Sequence, residues 1–262
     1  MAHPAAALHD VATGLLLKAV TALVLAYIGL NLVSSARRMA ASRDLRNRIV
    51  WIVRGLRLRH FLLAPVVLVL VLLLASLLIQ VPGLDFGWWT FLGGQGNPVF
   101  GRTDATAGTP LEWLIPLVFL ILLIPCLPLF AEREERSFRL GAERWTRRRR
   151  LWRSIEFGMI HAVIGIPIGV ALALSLGGVY FTWAYLRGYR KAARAAAADV
   201  RPYGMIAPVG DGGQEPLPLW ASPALPSPRE QALAESTRTH LGYNLTIVLL
   251  VLPALLLSGF VK

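Results

Sequence analysis

Residues 61–81 read FLLAPVVLVLVLLLASLLIQV, a run without a single charged side chain. An α-helix of about 20 apolar residues crosses the hydrocarbon core of a bilayer, so this run predicts a transmembrane helix. Comparable runs occupy residues 13–33, 111–130 and 238–260, and 55% of the 262 residues are hydrophobic. The sequence therefore predicts an all-α, multi-pass transmembrane helical bundle.

Positive charge is concentrated beside the apolar runs. Residues 35–60 carry eight arginines and one aspartate, and the formal net charge of the chain is +12. Because loops rich in Lys and Arg stay on the cytoplasmic side, we expect this segment to be cytoplasmic and residues 61–81 to cross outward. Anionic headgroups account for such charge beside membrane spans, so we expect membrane lipids, and not nucleic acid, as partners.

The N-terminal part, residues 1–110, is expected to contain two spans joined by the basic cytoplasmic loop. It begins without a basic region, and Lys18 interrupts the first apolar run, so residues 13–33 are expected to be a retained span rather than a cleaved signal peptide. The segment up to Pro110 contains tryptophans and glycines and has almost no net charge. This composition predicts an outer loop with interfacial aromatic residues.

Proline and glycine predict where the later spans break. Pro125 and Pro128 lack backbone donors, which predicts a kink near the inner end of the span at 111–130. Residues 154–186 are too long for one ordinary span, contain Gly-Ile-Pro-Ile-Gly near the middle and have basic residues on both flanks. They predict a hairpin of two helices, which gives about six membrane helices in total.

A loop insertion is predicted before the last span. Residues 192–226 are rich in Ala, Pro and Gly and have no helical or strand period, which is typical of a flexible cytoplasmic loop. Ser227 follows as an expected N-cap, with Pro228 in the first turn and Glu230 completing a capping box. This pattern predicts a helix that continues into the apolar run at 238–260.

Polar side chains within or beside apolar runs are candidate functional residues, because a polar group in hydrocarbon is unfavourable without a partner. Three groups stand out, and in each of them two side chains four residues apart share a helical face. The groups are Glu134, Glu135 and Arg139; Phe157 and His161; and His240 and Asn244. Taken singly, they are also typical of a solvated charge run, a hydrogen-bonded structural histidine and a helix cap.

Taken together, the three groups contain the chemistry of peptide hydrolysis. A base must remove a proton from water, and hydrogen-bond donors must stabilise the carbonyl oxygen as it becomes negative. Glu134 and Glu135 point in different directions on a helix, so one carboxylate can pair with Arg139 while the other stays available. Two imidazoles and a carboxamide supply the remaining groups.

The three motifs resemble, in order, those of the CAAX-protease and bacteriocin-processing family of intramembrane endopeptidases. They are Glu-Glu-x-x-x-Arg at 134–139, Phe-x-x-x-His at 157–161 and His-x-x-x-Asn at 240–244. The resemblance extends over roughly residues 111–260. It implies a catalytic membrane domain over 111–262, in a bacterial inner membrane, that cuts peptides or membrane proteins near the cytoplasmic face.

By this resemblance, Glu134 and His161 would activate water, while His240 and Asn244 would bind the oxyanion. Supporting positions would be Glu135, Arg139 and Phe157. No cofactor is expected, since the zinc motif His-Glu-x-x-His does not occur. Three alternatives stay open: a zinc enzyme with Glu134, His161 and His240 as ligands, a non-enzymatic immunity or scaffold protein, and a transporter.

Overall fold

The computed structural model describes residues 29–88, 108–199 and 226–260, together with four positions between 19 and 27. Within this part of the chain the fold is all-helical and contains no strand, as predicted. The helices are α1 (helical over 29–41), α2 (Arg43–Arg54), α3 (Ala64–Leu78), α4 (Leu111–Leu123), α5 (Leu127–Arg139), α6 (Arg147–Met159), α7 (Ile168–Asp199) and α8 (Pro228–Phe260). The predicted span at 13–33 and outer loop lie largely outside the described residues.

Three helical stretches in the described part of the chain are long and apolar enough to cross a membrane: Leu58–Leu78, Leu111–Arg144 and Ile168–Ala198. The first two coincide with predicted spans. Leu72, Leu73 and many other side chains of α3 are exposed, as expected of a helix that contacts lipid. The total of about six membrane helices stays a prediction.

The regular α-helix is interrupted between α4 and α5. Helix α4 ends at Leu123, a 3₁₀ turn covers Ile124–Cys126, and α5 begins at Leu127. The missing amides of Pro125 and Pro128 weaken a continuous α-helical ladder here, so the predicted interruption is confirmed. Helix α5 then carries the acidic motif against α8.

Residues 154–186 are divided at the predicted place. Helix α6 ends at Met159, a 3₁₀ turn covers Ile160–Ile164, and Gly165 has φ of 88°, a left-handed conformation that glycine adopts readily. Helix α7 starts at Ile168 and packs along α6. Whether both arms of this turn cross a membrane stays a prediction.

The predicted loop at 192–226 starts too early. Its first part continues α7 as far as Asp199, because this part is rich in alanine, the strongest helix former. The rest of the loop lies outside the described residues. The predicted start of the last helix is confirmed: the hydroxyl of Ser227 accepts a hydrogen bond from the amide of Glu230 at 3.3 Å, and α8 begins at Pro228.

An aromatic cluster joins the helices that carry the three motifs. Phe157 of α6, Phe181 of α7 and Tyr243 of α8 are buried together against Ala64 of α3. The rings of Phe157 and Phe181 meet edge to face with centroids 5.7 Å apart. Burial of these rings fixes the relative positions of α6, α7 and α8 around the polar motifs.

Candidate active site

The four predicted catalytic residues line one cavity of about 350 Å³. They are Glu134 on α5, His161 in the turn after α6, and His240 and Asn244 on α8. Most of the remaining wall is apolar and comes from α4, α7 and α8. A few convergent polar groups in a largely apolar cavity are typical of a ligand-binding or active site.

Glu134 is the carboxylate that faces this cavity. Its side chain is 34% exposed, and its Oε2 lies 3.7 Å from Nε2 of His240. It forms no hydrogen bond with any residue that the structure describes. Glu135, the next residue, is fully buried on another side of α5, as the helical spacing predicts. One carboxylate is therefore available to a ligand and the other is not.

Glu135 is held by three side chains in the protein interior. Its Oε1 lies 3.0 Å from Nδ1 of His240, and its Oε2 accepts a hydrogen bond from the hydroxyl of Ser236 and lies 3.5 Å from Nε of Arg139. All four residues are buried. A buried carboxylate with this many donors is stabilised in one position, so it fixes the ring of His240.

Arg139 carries a fully buried positive charge that packs on aromatic rings. Its guanidinium lies 4.2 Å from the ring centroid of Phe157 and donates a hydrogen bond to the carbonyl of Gly178 at 3.2 Å. The faces of aromatic rings attract cations, and Glu135 balances the charge. The predicted supporting residues Glu135, Arg139 and Phe157 are thus in contact with one another.

The contacts of His240 identify the role of each ring nitrogen. Since the carboxylate of Glu135 can only accept, Nδ1 of His240 must be the donor in this hydrogen bond. The ring stacks on Phe181 with centroids 4.2 Å apart, and its Nε2 faces Glu134. Donation from Nε2 as well requires an imidazole that carries both protons.

In His161, as in His240, Nδ1 is the donor. Its Nδ1 lies 2.8 Å from the carbonyl oxygen of Phe157, which can only accept, so Nδ1 carries the proton. In the neutral ring, Nε2 is then an acceptor. The side chain lines the cavity and makes edge contact with the ring of Phe157, with centroids 5.2 Å apart. His161 can therefore receive a hydrogen bond from water.

Asn244 lies one turn beyond His240 and lines the same cavity. Its carboxamide has no hydrogen bond to any described residue, which leaves its donors available to a ligand. Sequence reasoning missed the neighbouring Tyr243, whose buried hydroxyl also has no partner within the described chain. It also missed Ser236 and Phe181, although Ser236 precedes His240 by four residues, a spacing that places both on one helical face.

The described residues contain no group of three or more His, Cys, Asp or Glu side chains arranged to hold a metal ion. The zinc alternative requires Glu134, His161 and His240 to form such a group. Glu134 and His240 approach each other, but the three do not converge as a ligand set.

No family model, curated protein or solved structure matches this chain. Its function is therefore inferred from the cavity and from the motifs that line it.

Proposed function

We propose that this chain is an intramembrane endopeptidase of the CAAX-protease and bacteriocin-processing type. The observation that carries the proposal is the convergence of Glu134, His161, His240 and Asn244 on one cavity. These residues come from three separate motifs, of which the first and the last are about 100 residues apart in the chain. A base, a second acceptor for water and two donors are the groups that peptide hydrolysis needs.

The first step is attack by water. Glu134 takes a proton from a water molecule that Nε2 of His161 helps to orient, and the water oxygen bonds to the carbonyl carbon of the peptide. The carbonyl oxygen becomes negative. Glu134 suits this role because its carboxylate faces the cavity and is not bound in an ion pair with an arginine in the described chain.

The second step is stabilisation and collapse of the tetrahedral intermediate. Nε2–H of His240 and the amide N–H of Asn244 donate to the oxyanion. The C–N bond then breaks, and the proton held by Glu134 passes to the leaving amine. Glu135 contributes by binding Nδ1–H of His240 at 3.0 Å, which orients the ring.

The proposed setting is a bacterial inner membrane, with cleavage near the cytoplasmic face. The three apolar helical stretches support a membrane location, and the arginines around α2 and α6 support the cytoplasmic placement of the acidic motif. The substrate is then a peptide or a membrane protein whose scissile bond enters the apolar cavity from the membrane side.

Hydrolysis of quenched peptide and prenyl-peptide libraries by the detergent-solubilised protein tests this proposal. Wild type should turn over at least one substrate, while Glu134→Ala and His161→Ala should lose turnover by about 10²–10⁴-fold, the usual contribution of acid–base groups. Equal turnover in all three proteins would exclude the proposed chemistry.

Turnover measured with and without a metal chelator distinguishes the glutamate mechanism from the zinc alternative. Turnover should persist after treatment with a chelator. Turnover that disappears with chelator and returns with zinc would assign Glu134, His161 and His240 to a metal instead.

A further inference from the structure

A second polar cavity, which we call the basic pocket, lies where α7 and α8 meet the end of α2. Its volume is about 260 Å³. Four cationic side chains line it: Arg59, Arg187, Lys191 and Arg238. Glu235 is the only acidic residue in its wall, so the pocket carries a net positive charge. It lies apart from the cavity of Glu134, with which it shares no lining residue.

The negative charge of the single carboxylate in the basic pocket is already balanced by neighbouring side chains. Oε2 of Glu235 accepts hydrogen bonds from Arg59 at 3.0 Å and from His60 at 3.3 Å. Burial alone would raise its pKa, but the hydrogen bond from His60 and the nearby charges of Arg59 and Arg238 lower this pKa to about 2. Glu235 therefore balances Arg59 and leaves the other cations of the pocket without a counter-charge.

Contacts with the end of α2 hold the side chain of Arg238 beside the basic pocket. It donates hydrogen bonds to the carbonyl oxygens of Ile52 at 3.0 Å and Trp51 at 3.1 Å. Its guanidinium also lies 4.7 Å from the ring centroid of Trp51. These neutral contacts fix the guanidinium in place and do not cancel its charge.

Arg187 and Lys191 are one turn apart on α7 and are both exposed. Neither forms an ion pair with a carboxylate in the part of the chain that the structure describes. The guanidinium of Arg187 lies 5.4 Å from the ring centroid of Trp183, which orients it beside the pocket. Two like charges at this spacing repel each other, and an anion bound between them would remove that repulsion.

An apolar surface begins at the edge of the basic pocket. The adjoining cleft shares Arg59, Arg187 and Glu235 with it, and its apolar side is formed by Leu63, Tyr180 and Trp183. Leu63 is 45% exposed and Trp183 is 42% exposed; Leu63 lies near the start of the candidate span Leu58–Leu78, and Trp183 lies within the candidate span Ile168–Ala198. A cationic pocket that opens onto a lipid-exposed apolar surface matches the two parts of a phospholipid.

We propose that the basic pocket binds the phosphate of an anionic phospholipid, with the acyl chains along the surface at Leu63 and Trp183. A free phosphate ion offers the same charge and oxygen acceptors, but it would make no use of the adjoining apolar surface. The assignment to lipid does not depend on the proposed peptidase activity. Lipid binding and hydrolysis are therefore tested separately.

Titration of the full-length protein in detergent with phosphatidylglycerol, phosphatidylcholine or inorganic phosphate tests the lipid site, with native mass spectrometry as the readout. The test variant is the double substitution Arg187→Gln and Lys191→Gln. The matched control is Arg190→Gln with Arg194→Gln, which removes the same charge from exposed positions of α7 outside the pocket.

Wild type should retain phosphatidylglycerol in preference to phosphatidylcholine. The test variant should bind phosphatidylglycerol about tenfold more weakly or worse, since each basic residue near an anionic lipid contributes roughly 1 kcal/mol. The control should stay within about twofold of wild type. Circular dichroism and melting in phosphatidylcholine alone will show that both variants are folded.

Three results would overturn the proposal. Equal weakening in the test variant and the control would indicate a general charge effect without a site. No preference for phosphatidylglycerol in wild type would exclude an anionic headgroup. Displacement of the lipid by millimolar inorganic phosphate, with equal occupancy by phosphate alone, would assign the pocket to a soluble phosphate.

Discussion

Two buried histidines, His240 and His60, each bind a glutamate of this protein, yet they differ in what their second nitrogen does. Nδ1 of His240 lies 3.0 Å from Glu135, and its Nε2 faces Glu134 across a cavity. Nε2 of His60 lies 3.3 Å from Glu235, and its Nδ1 accepts the backbone amide of Arg57 at 2.9 Å.

Both rings are almost inaccessible, with exposures of 3% for His240 and 2% for His60. Burial and an acidic neighbour are therefore common to both histidines. The difference is that both nitrogens of His60 are bound within the fold, whereas one nitrogen of His240 remains directed at a cavity. The predictions below test this distinction.

The largest effect on stability is expected from Glu135→Ala. This change leaves the buried guanidinium of Arg139 without its carboxylate, and loss of one member of a buried ion pair reduces the free energy of unfolding by about 3–5 kcal/mol. Chemical unfolding in detergent measures this loss in the free energy of unfolding. Glu134→Ala, at the adjacent position, should unfold close to wild type, and equal loss in both variants would contradict the division of roles between the two carboxylates.

Asn244→Ala is expected to affect turnover and not stability. Removal of one oxyanion donor reduces kcat by about 10²–10³-fold. The melting temperature should be unchanged, because the carboxamide forms no hydrogen bond with described residues. Turnover and melting are measured on the same preparation. A variant that melts much earlier than wild type would instead indicate that Asn244 braces the helices.

His60→Ala should affect stability and not turnover. Its loss leaves the amide of Arg57 and one contact of Glu235 unsatisfied, which reduces the free energy of unfolding by about 1–3 kcal/mol. Turnover per folded molecule should stay near that of wild type. A loss of turnover as large as that of Asn244→Ala, in protein shown to be folded, would remove the distinction between the two histidines.

The smallest expected effect is a change in stability with pH that comes from Glu235. The pKa of this carboxyl lies at about 2, below its ordinary value of 4.5, so its ionised form stabilises the fold. The stabilisation is present above the ordinary value and is lost as the pH falls toward about 2. Melting of wild type and Glu235→Gln in acid-stable detergent should therefore converge with acidification. A constant difference between them down to about pH 2 would contradict this pairing.

Much of the polar architecture could be predicted because it depends on helical spacing. Four-residue intervals place Glu135 with Arg139 and His240 with Asn244 on common faces, and the structure shows the first pair in contact and the second lining one cavity. The interruption at Pro125 also follows from local backbone chemistry, since proline lacks an amide hydrogen.

Other features could not be predicted because they depend on contacts between distant segments. His60 and Glu235 are separated by 175 residues, and nothing local marks either as a partner of the other. Ser236 bridges Glu135 of α5 and the carbonyl of Phe181 on α7, a role that requires three helices to be in place. Helix α7 continues to Asp199 because its last residues are rich in alanine, whereas the prediction of a loop from residue 192 depends on the proline and glycine further along.

The measurement that tests the central claim most directly is the turnover of Glu134→Gln compared with Glu156→Gln. The two carboxylates are equally exposed, at 34% and 35%, but Glu156 is paired with Arg153 and does not line the cavity. We predict that Glu134→Gln melts like wild type and loses at least about 100-fold in kcat, while Glu156→Gln stays within about threefold of wild type. Equal turnover in the two folded variants would contradict the assignment of Glu134 as the base.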